Sequence, residues 1–202
     1  MAFGELGAEV IADDGPMTDP QRPRQLIEQA GRVDVLIANL AIPAPRSWAH
    51  QVEDEEWREV FAHLVDPLPL LCRAVLPQMI ERRAGKIVVM GSASALRGMK
   101  RTSTYSAARG AQLAYVQAVG VEVAPHNVQV NAIAQNFVDN PTYFPPEIQA
   151  NPAFQQRLAS EVPVGRLGTP REDALFAAFL ASDAVNFMVG QAFPFCGGWV
   201  TR

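Results

Sequence analysis

Short apolar, β-branched runs alternate along this chain with longer helix-forming stretches, and that alternation constrains the fold more than any other feature. Strands separated by helix-length segments do not pair as tight hairpins; they pair in parallel through crossover helices, which is an α/β architecture. Residues 33–39 and 86–90 are apolar almost throughout, as expected of strands covered on both faces, and 128–133 reads as a third. Short strands at 9–12 and 192–195 are expected to flank them. The fold class is α/β, a doubly wound parallel sheet. Between the first two strong strands, 54–82 is helix-forming, but Pro67 and Pro69 each remove an amide donor, so two packed pieces are expected rather than one rod. The stretch 103–124 has no proline and carries recurring small residues, Ala107, Ala108, Gly110, Ala111, Ala114, Ala118 and Gly120, which lets another backbone approach; a subunit interface is expected there. Thr169-Pro170-Arg171-Glu172 supplies a cap, a proline at the first helical position and a Glu that bonds back, starting a helix that runs to about 182.

A length of 202 residues, 49% of them hydrophobic, fits one domain spanning 1–202. A net charge of −4 with scattered Lys and Arg gives no basic stripe, so no nucleic-acid partner is expected. Cys72, Cys196, His50, His63 and His126 form no metal-like spacing. No uninterrupted apolar run of about 18 residues and no signal-peptide pattern is seen, so a cytoplasmic chain with no membrane partner is expected. A nucleotide-binding α/β domain opens with a strand, a G-x-G-x-x-G turn and a helix. Here Gly4 and Gly7 stand without a preceding strand, so the expectation is that the first βαβ part is absent from the chain or was never needed.

Gly91-Ser92-Ala93-Ser94 follows directly on the 86–90 strand, which puts Ser92 at a carboxyl-terminal strand edge, where open α/β sheets bind ligands. Tyr105 and Arg109 are four apart near a helix start and share one face. A guanidinium does not deprotonate, so it stabilises a neighbouring phenolate and makes Tyr105 a candidate general base.

A Ser, a Tyr thirteen positions on and a basic residue four further is the pattern of the short-chain dehydrogenases/reductases, which this chain resembles over about 31–198. The 33–39 strand before Leu40-Ala41, Gly165-Arg166-Leu167-Gly168-Thr169-Pro170, Phe179-Leu180-Ala181-Ser182, Gly190-Gln191 and Gly197-Gly198 add to the resemblance, which implies a Rossmann-like fold. In that superfamily the basic residue is normally a Lys that contacts the cofactor ribose. The Tyr-x-x-x-Arg variant is similar to the halohydrin dehalogenases, which keep the fold and hold a halide where the nicotinamide would sit. Leu64 stands where the superfamily usually has an Asn that helps a proton relay. Gln135-Asn136-Phe137 is similar to the Pro-Asn-aromatic halide-binding loop of the dehalogenases, and Pro141-Thr142-Tyr143-Phe144-Pro145-Pro146-Glu147 resembles their aromatic lid.

The resemblance implies a lyase that needs no cofactor. Ser92 and Tyr105 would hold the hydroxyl of a vicinal haloalcohol, and Tyr105 would take its proton. The oxygen would close onto the neighbouring carbon, and halide would leave into a pocket of Gln135, Asn136 and Phe137, with Tyr143 and Phe144 over the substrate. In reverse, azide, cyanide or nitrite would open an epoxide. A homotetramer built through the Tyr105 helix is implied as well.

Three departures stand against the dehalogenase pattern. Leu40 occupies the position of the acid that orients the catalytic Arg, Gln135 replaces a proline, and the N-terminal aromatic of the halide pocket is missing. Blander readings accompany each motif. Ser92 could cap a strand end, Asn136 and Phe137 could form an ordinary loop with a buried ring, Tyr143 and Phe144 could be core or interface packing, and Trp199 could pack internally or reach a neighbouring subunit. Beside the dehalogenase stand two alternatives, an NAD(P)-dependent reductase and a catalytically silent binding protein with the same fold.

Overall fold

The computed structural model describes residues 2–201, so Met1 and Arg202 of the expected 1–202 domain lie outside the described residues. In chain order the elements are α1 (Ala2–Glu5), α2 (Arg22–Ala30), β1 (Val35–Ala38), α3 (Asp54–Leu64), α4 (Pro67–Glu81), β2 (Gly85–Ser92), α5 (Ser103–Val123), β3 (Val128–Gln135), α6 (Pro146–Gln149), α7 (Pro152–Glu161), α8 (Pro170–Ala181) and β4 (Ala192–Phe195). The strands form one parallel sheet in the order β1-β2-β3-β4. The α/β, Rossmann-like class expected from the alternation is what the chain adopts.

All residues of β2 are buried because successive side chains enter two different cores. Ile87 and Val89 pack with Leu64, Leu68, Cys72, Val75 and Val116 from α3, α4 and α5. Val88 and Met90 face the other way, with Ile133, against Ala177 and Leu180 of α8 and Phe3 of α1. Gly120 lets α5 close on the sheet, since a Cβ there would stand 2.7 Å from the Gly190 nitrogen and 3.1 Å from the Val130 carbonyl.

The helical stretch breaks where expected, at Val65-Asp66, with Pro67 opening α4 at a position that needs no amide donor. An 18-residue window within 54–81 reaches a mean hydropathy of 1.4, enough by composition for a membrane span, although Asp66 and Arg73 interrupt its apolar run. That window crosses the helix break, and α4 alone has 15 residues, about 22 Å against the roughly 30 Å of a bilayer core. Its apolar face is spent on the sheet.

The expected strand at 9–12 is not formed; Val10 and Ile11 are exposed and make no ladder bonds. β-propensity alone does not make a strand: the backbone needs a neighbour to pair with, and among the described residues none lies beside this segment. α8 begins as expected, with Thr169 and Glu172 closing a full capping box, and the Arg166 guanidinium beside Glu172 holds that carboxyl down at about 2.

Candidate active site

The carboxyl ends of β2, β3 and β4 meet at one edge of the sheet, with Ser92 in register with Gln135 and Gln135 with Phe195. One further bond, from the Asn136 amide to the Phe195 carbonyl at 3.1 Å, extends the ladder, so Ser92 and the Asn136-Phe137 turn lie side by side. α5 crosses beneath this edge and presents Tyr105 and Arg109, one helical turn apart, toward the sheet.

Both are buried, Tyr105 to 7% exposure and Arg109 to 4%. The Arg109 guanidinium carbon lies 5.1 Å from the centre of the Tyr105 ring. Its Nη1 donates to the Met90 carbonyl at 3.1 Å and to Gln112 Oε1 at 2.9 Å. None of the ion pairs among the described residues includes Arg109. Leu40, where an orienting acid would be expected, is an apolar core residue. The strand carbonyl and the Gln112 amide hold the guanidinium instead.

Ser92 reaches the correct edge but is not hydrogen-bonded to Tyr105. Its hydroxyl pairs with the Ser94 hydroxyl at 2.9 Å and accepts from the Ser94 amide at 3.2 Å, capping the 3-10 turn at Ala93–Ala95. Tyr143 comes closer to the base than the sequence could show. Its phenol donates to the Ile42 carbonyl at 2.6 Å and lies against Tyr105 and Arg109. Burial pushes this phenol well above its ordinary range, Tyr105 adds to the rise and Arg109 opposes it, so Tyr143 is a neutral donor. Surface concavities of about 480 and 510 Å³ lie elsewhere and include none of these residues.

Phe137 has φ of 54°, a left-handed conformation that costs a bulky residue on the order of 1–2 kcal/mol. Its ring is 3% exposed and sits among Phe144 at 5.9 Å, Trp199 at 6.1 Å and the Arg157 guanidinium at 5.6 Å. Trp199 therefore packs within its own chain, where its indole N–H donates to Glu161 at 3.3 Å and Arg97 lies over its ring at 4.6 Å. The loop amides expected to receive a halide are engaged, that of Asn136 by Phe195 and that of Phe137 by the Asn136 side chain at 2.9 Å. Gln135 does not join them: its Nε2 donates to Asp173 on α8, pointing away from the turn. Burial raises the Asp173 carboxyl and the Gln135 bond opposes the rise.

Gln112, Asp173, Arg97 and Arg157 were not singled out from sequence. For Gln112 a signal existed, a polar residue three positions after Arg109 on the apolar face of a helix. For the others none did, since each acts across 20 or more residues of chain.

Residues 21–200 match the family described as enoyl-(acyl carrier protein) reductase. A 3-oxoacyl-(acyl-carrier-protein) reductase of Chlamydia muridarum is 32% identical over 87% of this chain and 68% of its own length. A cis-4-hydroxycyclohexanecarboxylate dehydrogenase of Sinomonas cyclohexanicum is 32% identical over 98% and 80%. Among solved structures, a halohydrin dehalogenase bound to ethyl (2S)-oxiran-2-ylacetate superposes with a TM-score of 0.86 at 31% identity, covering 100% of this chain and 82% of that one. A second, titled a dehalogenation enzyme, gives 0.86 and 31% over 96% and 78%. With a parallel sheet, a Ser at the edge of β2 and a Tyr-x-x-x-Arg turn on α5, this chain belongs to the short-chain dehydrogenase/reductase superfamily.

Proposed function

We propose that this protein is a halohydrin dehalogenase, converting vicinal haloalcohols to epoxides without a nicotinamide. The observation that carries the reading is the placement of Arg109. In relatives with a Lys there, that residue reaches a cofactor ribose; a guanidinium buried to 4% and committed to Met90, Gln112 and the Tyr105 ring does not fit that role. It fits a cation kept for the phenol. Phe137 supports the same reading, because a ring is held at a backbone conformation that favours glycine, at the strand edge that carries Ser92.

In the proposed reaction Tyr143 gives up Ile42 to admit substrate, and Ser92 turns from Ser94 to hold the substrate hydroxyl. Tyr105 takes the hydroxyl proton, the oxygen forms a bond to the adjacent carbon, and the carbon–halogen bond breaks with its electron pair on the departing halide. Asn136 and Phe137 receive the halide at an aromatic-walled turn once the Asn136 side chain releases the Phe137 amide. Gln135 positions that turn from behind, through Asp173. A homotetramer belongs to the same proposal, through the stripe Ala107, Ala111, Ala114 and Ala118 that α5 leaves outside its own core; sedimentation velocity would return a monomer if it is wrong.

A second reading, an NAD(P)-dependent reductase, is favoured by the identity to the two oxidoreductases above. The deciding experiment is halide release from 1,3-dichloro-2-propanol by the purified protein without nicotinamide, beside Tyr105→Phe. Release that vanishes in the variant supports the dehalogenase. No release from a folded protein that binds NADH or NADPH supports the reductase, and neither activity nor binding points to a silent member.

A further inference from the structure

We infer that Gln112 is a positioning residue for the base pair Tyr105–Arg109, holding the guanidinium through a neutral amide where no acid is present. The inference rests on the reading that Tyr105 is the base. Gln112 is fully buried, and its two polar atoms are each committed, Oε1 to Arg109 at 2.9 Å and Nε2 to the Leu64 carbonyl at 2.6 Å. Its orientation leaves no choice: a guanidinium only donates and a carbonyl only accepts, so the amide oxygen must face Arg109 and the amide nitrogen Leu64. The same bond anchors α5 to the last residue of α3. Two separate elements thus converge on one nitrogen of Arg109, since the other acceptor of Nη1 is the Met90 carbonyl of β2.

The neutrality of this clamp matters as much as its geometry. A carboxylate at this distance would orient the guanidinium but also offset its charge; an amide orients it and leaves the charge acting on the phenol. Arg109 Nε has no partner in the structure, so the two bonds of Nη1 are the hydrogen bonds that hold the group. The titratable groups facing this assembly are Tyr105 and Arg109 on α5 and Tyr143 from the loop after β3. Glu56 on α3 stands one residue aside, bonded to Thr104 and Ser47. The hydrogen-bonded segment Leu64–Gln112–Arg109 is a second way to order this edge of the fold, one in which the carbonyl of residue 64 is used and its side chain is not.

The test reads the phenol directly, without substrate or cofactor. Ultraviolet titration of the phenolate, assigned to Tyr105 by difference against Tyr105→Phe, is compared for the wild type, Gln112→Met, Arg109→Met and the double variant. Gln112→Met keeps the volume and removes both bonds. We expect it and Arg109→Met each to move the midpoint to higher pH, and the double variant to match Arg109→Met alone. If the Gln112→Met midpoint stays with the wild type, or the two shifts add, Gln112 does not act through Arg109 and the inference is overturned. Should Gln112→Met not fold, Gln112→Glu is read the same way: a carboxylate against Arg109 raises the midpoint, and an unchanged midpoint overturns the inference. A dehalogenase assay that fails while the titration behaves as expected would remove the reaction but leave the clamp.

Discussion

The two halves of the candidate site are built by different means. The base half, Tyr105, Arg109 and Gln112, stands on one long helix and is pinned to β2 and α3 by hydrogen bonds of 2.6 to 3.1 Å. The other half, proposed to receive halide, is gathered from four separate stretches of chain, the turn after β3, the loop at Tyr143-Phe144, α7 and the segment at Trp199. It is held by ring packing and contains one residue in a strained conformation. A site half on a regular element is rigid at little cost, whereas a half made of loops can open to admit a ligand.

The strongest test of this contrast is Tyr105→Phe, which should lower halide release by about 10²- to 10⁴-fold while leaving the thermal midpoint nearly unchanged. A variant that keeps a tenth of the rate would mean that the base lies elsewhere. Phe137→Gly probes the opposite half. It forfeits about 3–5 kcal/mol of buried ring packing and recovers about 1–2 kcal/mol of backbone strain, so urea unfolding should show a net loss of about 1–4 kcal/mol, with weaker halide retention. A gain in stability would show that strain outweighs packing there.

Smaller effects sharpen the picture. Tyr143→Phe removes the bond to Ile42, worth about 1 kcal/mol, and should speed hydrogen exchange across 141–150 without changing exchange in α5. Equal acceleration in both would erase the distinction between a mobile and a fixed half. Asp173→Asn is expected to have the least effect, and it depends on pH. Burial raises the folded-state titration of Asp173 above its unfolded value, so the native state holds the proton longer and stability falls as pH rises through that window. The neutral variant should therefore have the higher thermal midpoint at neutral pH, and the advantage should disappear in acid. An advantage that grew as pH fell would reverse the assignment.

Local chemistry accounts for what could be read in advance. The strands β2 and β3 are runs whose burial on both faces leaves few other conformations open to them. The break before Pro67 follows from a missing amide, and the α8 start from a Thr-Pro-Arg-Glu box. The shared face of Tyr105 and Arg109 is helix geometry, and Ser92 falls at the strand edge by simple adjacency. The failures have an equally physical origin. Residues 9–12 have strand propensity but no described partner, and Gln135, at a strand terminus, turned toward a carboxylate 38 positions away.

By itself, then, the sequence determined the α/β class, the central strands and the shared face of Tyr105 and Arg109, because each depends on the period of a strand or helix or on neighbours within four residues. Only the tertiary structure decided that Gln112 rather than an acid orients Arg109, that Tyr143 comes beside Tyr105 and bonds the Ile42 carbonyl, and that Phe137 accepts a strained backbone to meet Phe144 and Trp199. Those contacts join residues brought together by packing, and side-chain direction at a buried junction is chosen by whichever donor, acceptor or ring the rest of the chain supplies.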